Sequence, residues 1–451
     1  MSDKHYMHHN KRNQLINDIK KLSQFQEKIT LQKKTSNLFR HRPQKIHKID
    51  VRAFNQVLSV DQTALTAEVE GMTTYEDLVN ATLKYGCLPA VVPELKTITV
   101  GGALAGVGIE SSSFRYGLVH ETIPQFEVLL PDGTMVSCQP NNVHRDLYYS
   151  FPNSYGTLGY ALKVTVKLVP AKKYIQLHYQ HFTNPEDFFT KLNQVCTENK
   201  ENGHISYVDG VVFDKNHLVL ITAMFVDSVP FVSNYKFMKI FYRSLKKKTM
   251  DYLTAEDYIW RWDTDWFWCS KVFYMQNPLL RFLIGKWVLH SKIYSKFMRF
   301  SKRNPVMRWW LKTFEANKES VIQDVAIPIK NALDYFHFFQ ENIGITPFWI
   351  CPVRPKAGHL YDLFKMDSST LYVNFGFWDI IPSTQKEGYY NRLIEHKVRA
   401  LEGNKSLYSN VFYTVKEFWE IYDKERYLAL KNKYDPQNTL DTIYHKCVEK
   451  M

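Results

Sequence analysis

From residue 97 to 113 the chain reads Thr97-Ile98-Thr99-Val100-Gly101-Gly102-Ala103-Leu104-Ala105-Gly106-Val107-Gly108-Ile109-Glu110-Ser111-Ser112-Ser113. Glycine accepts positive φ and lets a backbone approach a ligand that a Cβ would hold away. Successive N–H groups exposed in this way cradle a pyrophosphate, and the flanking Thr and Ser hydroxyls add donors. The spacing is not that of a dinucleotide-binding G-x-G-x-x-G. The third glycine after Gly106-Val107-Gly108 is missing, no helical pattern follows directly, and no G-K-[ST] occurs either. Taken alone, the run is equally well a tight turn packed on a neighbour.

Around it the pattern alternates between short strands and helices. A helix is expected over 12–27, with Leu15, Ile16, Ile19 and Leu22 at helical spacing, then a strand over 28–33 and a polar turn over 34–37. Strands are expected at 46–51, 55–60 and 64–70. Thr73-Thr74 followed by Glu76 and Asp77 reads as a helix start, and Gly86 as its stop. The residues 126–138 form two apolar runs around Asp132-Gly133, a hairpin signal. A strand over 158–169 ends a first domain of residues 1–170. A second domain, 171–414, shows a hairpin over 207–226 and strands over 344–353 and 370–377. It is interrupted at about 230–317 by a helical, basic, Trp-rich insertion. Closing helices are expected over 415–451.

The length of 451 residues fits more than one core. The net charge of +13 is concentrated in 236–248 and 299–308, where Lys and Arg mix with Phe, Tyr, Met and Trp. That mixture suits a membrane surface or a phosphorylated cofactor better than nucleic acid; plain solvation is the alternative. Six cysteines without a C-x-x-C pair, and no signal-peptide pattern, predict a reduced, cytoplasmic protein without disulfides or a metal site. No apolar run reaches the ~18 residues of a membrane span. Trp260, Trp262, Trp266 and Trp268, with Trp287, Trp309 and Trp310 beyond, are either interfacial anchors or the core of a cap. Leu279, Leu280, Phe282 and Leu283 beside Arg281 and Lys286 suit a helix lying flat in an interface.

The glycine run is preceded by Val91-Val92-Pro93-Glu94-Leu95 and followed by Phe114-Arg115-Tyr116-Gly117-Leu118, and then by Phe151-Pro152-Asn153-Ser154-Tyr155-Gly156-Thr157-Leu158-Gly159. In this order the segments resemble the FAD-binding domain of PCMH-type, vanillyl-alcohol-oxidase-like flavoproteins. Within that family the stretch 93–118, Tyr155–Tyr160 and 169–174 resemble the Δ24-sterol reductase branch, with weaker likeness at 348–352 and 371–374. The resemblance implies an α+β fold: a two-subdomain FAD-binding domain, then an α/β substrate (cap) domain carrying the helical insertion. It places the FAD pyrophosphate and ribityl chain on Thr35, Ser36, Asn37 and the run from Thr99 to Ser112, with Arg115 nearby and Gly156, Thr157 and Gly159 on the adenine side. The first loop, 33–39, has no flavin-tethering His, so FAD is expected to be non-covalent. His120 is expected to be a packing or surface histidine.

The activity implied is reduction of an isolated lipid C=C, with NADPH as hydride donor and Arg115 or the basic cluster meeting its phosphate. Such an alkene has no electron-withdrawing neighbour, so hydride from reduced flavin needs a partner proton from an acid kept protonated in a dry pocket. Glu110 and Tyr372 are the chosen candidates, with Glu94 and His359 behind them. The competing readings are a loop-bonding role for Glu110, a turn acid for Glu94 and a core position for Tyr372. Three alternatives stay open: a methylene-fatty-acyl phospholipid reductase, an FAD-dependent alcohol oxidase, and a non-catalytic FAD-retaining protein that binds lipid surfaces. The expected partners are a lipid or sterol substrate and, peripherally, a membrane.

Overall fold

Short apolar segments punctuated by Gly, Asp and Pro pair into sheets once register is set by which face is buried. The computed structural model describes residues 3–23, 28–33, 47–201, 203–305, 307 and 317–449. Strands β1 (Ile29–Gln32) and β2 (His47–Asp50) pair in parallel. They share an apolar cluster with Leu15 and Ile19 of the helix Asp3–Ser23. That helix starts well before residue 12, where the apolar spacing begins. Its first turns are held by polar contacts that a hydrophobic pattern does not register. His8 is buried with Nδ1 2.8 Å from Glu70 Oε1, and Lys11 Nζ lies 2.6 Å from the same oxygen.

The next strands are β3 (Val57–Asp61), β4 (Thr66–Glu70), β5 (Cys87–Pro89), β6 (Gln125–Leu129), β7 (Met135–Cys138) and β8 (Tyr160–Pro170). They form a six-stranded sheet in the order β3-β4-β8-β6-β7, with β5 also on β8. The β6–β7 hairpin turns where its sequence indicates, with Gly133 at φ 88° and Asp132 Oδ1 accepting the Thr134 N–H. Between β4 and β5, Thr74 caps the helix Tyr75–Thr82 through the Asp77 N–H, and Gly86 ends the following turn at φ 64°.

The second sheet has eight strands. They are β9 (Tyr174–Phe182), β10 (Tyr207–Asp214), β11 (His217–Val226), β12 (Met250–Thr254), β13 (Lys318–Pro328), β14 (Phe348–Val353), β15 (Tyr372–Pro382) and β16 (Asn404–Lys405). Their order is β12-β9-β11-β10-β14-β15-β13-β16. β12 lies inside the stretch expected to be helical; it pairs with β9 as an edge strand, so the insertion is not helical throughout. Alternation divides the strands cleanly. Val208 and Val212 of β10, Phe348 and Ile350 of β14, and Val373 and Phe375 of β15 pack under the helices Pro185–Glu198, Ala332–Asn342 and Tyr389–Ala400. Tyr207, Val211, Trp349 and Cys351 point the other way, into the core shared with the first sheet. The α+β class is therefore the one expected. The helices Val415–Ile421 and Lys424–Tyr434 follow the second sheet, and the Tyr427 hydroxyl of the latter donates to Thr157 Oγ1, just before β8, at 2.8 Å.

Candidate active site between the two sheets

The glycine run is not loop throughout, as its sequence suggests, because Val100–Ala105 forms a short helix. Two glycines in six residues hide a helix from propensity, but here they serve packing. Gly101 N–H donates to Gly71 O at 2.8 Å, and a Cβ on Gly101 would stand 2.7 Å from that oxygen. Gly108 is held likewise against Val119, whose Cγ2 lies 2.7 Å from where a Cβ would be. Beyond the helix the loop 153–159 closes on its end: Asn153 N–H donates to Gly106 O and Tyr155 N–H to Ala105 O. Asn153 and Tyr155 adopt φ of 61° and 53° to do so, and Gly156 follows at 76°. Backbone held in this region by its surroundings concentrates at functional sites. Two of the three segments assigned to FAD, 99–112 and 156–159, are thus one structural unit. The third, Thr35, Ser36 and Asn37, lies outside the described residues.

The serine-rich end of the run faces the second sheet. Glu110 is buried; its Oε1 accepts from Ser111 Oγ at 2.8 Å and from the Arg261 guanidinium at 2.7 Å. The same Arg261 nitrogen reaches Asp209 Oδ2 of β10 at 2.9 Å, and Trp349 Nε1 of β14 donates to that oxygen at 3.1 Å. Tyr258 lies beside Ser111 with its oxygen at 3.1 Å, and its ring carries the Arg261 guanidinium 4.2 Å from the centroid. Glu94 completes the group. Burial first, and then the charge of Glu110, push its carboxyl well above the ordinary glutamate value. Burial and these same carboxylates, with Asp324 of β13, also raise the Cys351 thiol, which places four acids around one point of the inner face. Asp324 Oδ1 accepts from Asn374 Nδ2 at 2.7 Å, and burial pushes its carboxyl up to about 6.

Burying this much charge without full pairing is costly. Among the described residues, Thr97 Oγ1, Asp209 Oδ1 and Arg261 Nε are buried without a hydrogen-bond partner, while the Glu94 and Glu110 carboxyls lie within hydrogen-bonding reach of each other. Unspent capacity of this kind calls for a polar ligand or ordered water. Sequence reasoning missed Asp209, Tyr258 and Arg261. Its one available signal was the alternation of Arg261, Asp263 and Asp265 with tryptophans, which suggests charges drawn into a core.

Other chosen residues lie elsewhere. The Tyr372 hydroxyl accepts the Asp367 N–H at 3.0 Å within a separate small cluster with Leu118 and Phe364. Arg115 spends its guanidinium on the carbonyls of Asn199, Gly203 and Ile205, tying the end of the glycine run to the segment before β10. Thr157 is engaged by Tyr427 and Lys431. His120 is a buried packing residue, edge-on to Tyr361, and burial lowers its pKa to about 3. The side chain of His359 lies outside the described residues. Trp260, Trp262 and Trp268 are buried, and Trp266 stacks on Tyr294, so these four make the cap core rather than an interfacial belt. Trp309 and Trp310 lie outside the described residues.

Residues 5–139 match the family model of the FAD binding domain. The chain is similar to the Delta(24)-sterol reductase of Macaca fascicularis, 28% identical over 89% of this chain and 78% of that protein. A Delta(24)-sterol reductase homolog of Caenorhabditis elegans is 26% identical over 82% of this chain and 73% of its own length. The Delta(24)-sterol reductase of Arabidopsis thaliana is 23% identical over 88% and 76%.

Proposed function

For a protein that carries an FAD-binding domain and has FAD-dependent Delta(24)-sterol reductases as homologues, we propose reduction of an isolated C=C in a sterol-like lipid, with NADPH as electron donor and at a membrane surface. Thr99–Ser112 and the 156–159 loop would hold FAD non-covalently, and the reduced cofactor would supply a hydride there. The polypeptide supplies the proton. Glu94 is the donor: its carboxyl is buried and keeps its proton far above the ordinary glutamate range. That single observation carries the reading, because an unactivated alkene accepts hydride only if its other carbon is protonated. Glu110, ion-paired with Arg261, lies beside Glu94 and raises the affinity of that carboxyl for its proton. Arg261 lies between Glu110 and Asp209 and pairs with both. The two sheets and the buried tryptophans exclude water from this face.

An anaerobic titration of the FAD-loaded protein with NADPH, followed by addition of a sterol unsaturated in its aliphatic tail, tests the proposal. Loss of the oxidised-flavin absorbance, its return with sterol and a saturated product are expected. A flavin untouched by NADPH but reduced by an alcohol, with peroxide formed in air, would show an oxidase instead. Reoxidation by a methylene-fatty-acyl phospholipid alone would move the substrate and keep the mechanism. Glu94→Gln is expected to retain flavin and lower kcat by about 10²–10⁴-fold. Its stability has a definite sign. A raised folded-state pKa gives stability below pH 4.5, the ordinary value, that is lost as pH rises towards the raised one. The glutamine variant therefore gains on the parent in denaturant titrations as pH rises. No gain between about pH 4 and about pH 8 would remove Glu94 as the protonated acid.

A further inference from the structure

Helices in water turn their apolar side inward. Two helices of the insertion do the reverse. In Pro278–Ile284 the buried side chain is Arg281, while Leu279, Phe282 and Leu283 are 69%, 63% and 71% exposed. The inversion is built in: the Arg281 guanidinium forks onto both carboxylate oxygens of Asp265, at 2.6 and 3.0 Å, and also donates to Met275 O. Trp287 follows, 80% exposed, with the Lys286 ammonium 5.3 Å from its ring centre. In Ser291–Arg303 the inward residues are Ser291, Tyr294, Ser295 and Ser301, whereas Phe297 and Phe300 face out beside the exposed Lys296.

We infer that this stretch is a docking surface for a membrane, with anionic phospholipid headgroups as its partner. The inference deepens the membrane part of the proposed function and rests on it only there; the surface is read independently of the reaction. Exposed apolar groups in such number mark an interaction site. The choice of partner comes from what lies among them. Lysine is depleted from the cores of protein–protein interfaces. At a bilayer surface Trp sits at the headgroup level, and Lys buries its stem and snorkels to the phosphates. Lys286, Trp287 and Lys296 among Leu and Phe follow the second pattern, on a protein of net charge +13. The surface also adjoins the site. Asp263 accepts from the N–H and hydroxyl of Ser291, at the start of the second helix, and from the N–H of Lys96, in the segment of Glu94.

Flotation of the full-length, FAD-loaded protein with vesicles tests this. It is expected to float with phosphatidylcholine–phosphatidylserine vesicles, and less with phosphatidylcholine alone or at high salt. The combined variant Leu279→Ser, Phe282→Ser, Leu283→Ser, Trp287→Ser is expected to lose binding by about tenfold or more, with melting temperature and flavin absorbance unchanged. Parent protein that stays at the bottom, or a variant that floats equally well, overturns the inference. So does a parent that elutes as a dimer which the variant splits, since the patch would then be an interface between copies. Reduction of detergent-dispersed substrate is read in parallel. Its failure counts against the reaction and leaves the surface standing.

Discussion

Arg261 and Arg281 lie in one segment, both buried and both paired with carboxylates, yet they serve different ends. Arg281 is spent. Its nitrogens reach Asp265 twice, Met275 O and Phe237 O, and Ser270 Oγ donates to Asp265 Oδ1 at 3.0 Å. Arg261 is not. Its Nε has no partner among the described residues, and neither does Asp209 Oδ1 on one of the acids it joins. Burial and charge are common to both clusters, so neither distinguishes a site. The difference is hydrogen-bonding capacity left over around Arg261, which a ligand or ordered water would take up.

The largest effect is expected from Arg261→Leu. It leaves Glu110 and Asp209 buried without their cation and costs about 4 kcal/mol. Denaturant titration at pH 8 reads the loss, and flavin absorbance and turnover are expected to fall with it. Burial already raises Asp209 above the ordinary aspartate value. Without Arg261 that rise grows, so the variant recovers stability as pH falls and Asp209 takes up a proton. Full flavin occupancy and normal turnover in Arg261→Leu would place the site elsewhere. Arg281→Leu comes next, at about 3 kcal/mol for the isolated Asp265. Here flavin content and turnover per folded molecule are expected to survive, while vesicle binding weakens as the helix Pro278–Ile284 loses its anchor. If Arg281→Leu loses flavin as readily as Arg261→Leu, the distinction between the two clusters collapses.

Local chemistry explains which parts were legible beforehand. The Thr74 cap, the Gly86 stop and the Asp132-Gly133 turn each act within a few residues, so their signals are complete in the sequence. The glycine run, as loop over 106–110, was legible for the same reason. The helix inside it was not, because Gly101 and Gly102 are there for close approach to Gly71 and Thr99, a contact invisible to propensity. The start of the first helix was hidden because His8 and Lys11 dock on Glu70, far along the chain. The acid cluster draws on the glycine run, β10, β13 and the Trp-rich segment, and no spacing rule joins Glu94, Asp209, Arg261 and Asp324. The tryptophans left two readings open for a simpler reason. Trp260 and Trp262 are core and Trp287 is exposed, and indole has the same preference for a dry interior as for a bilayer edge.

The smallest effect sharpens the comparison most, because Asp263 lies between the two arginines and touches both regions. Its Oδ1 accepts the Lys96 N–H at 3.0 Å and its Oδ2 the Ser291 N–H at 3.2 Å. Asparagine keeps one oxygen, and its amide nitrogen faces a donor, so Asp263→Asn loses about 1 kcal/mol. Flavin content and vesicle binding are expected to hold, since neither the acid cluster nor the apolar surface is altered. The informative quantity is turnover on vesicle-borne substrate divided by turnover in detergent. If docking steadies the Glu94 segment through Asp263, that ratio falls in the variant while the detergent rate stays close to the parent's. An unchanged ratio means that the spent cluster and the unspent one are mechanically independent, and that the membrane surface only raises the local concentration of substrate.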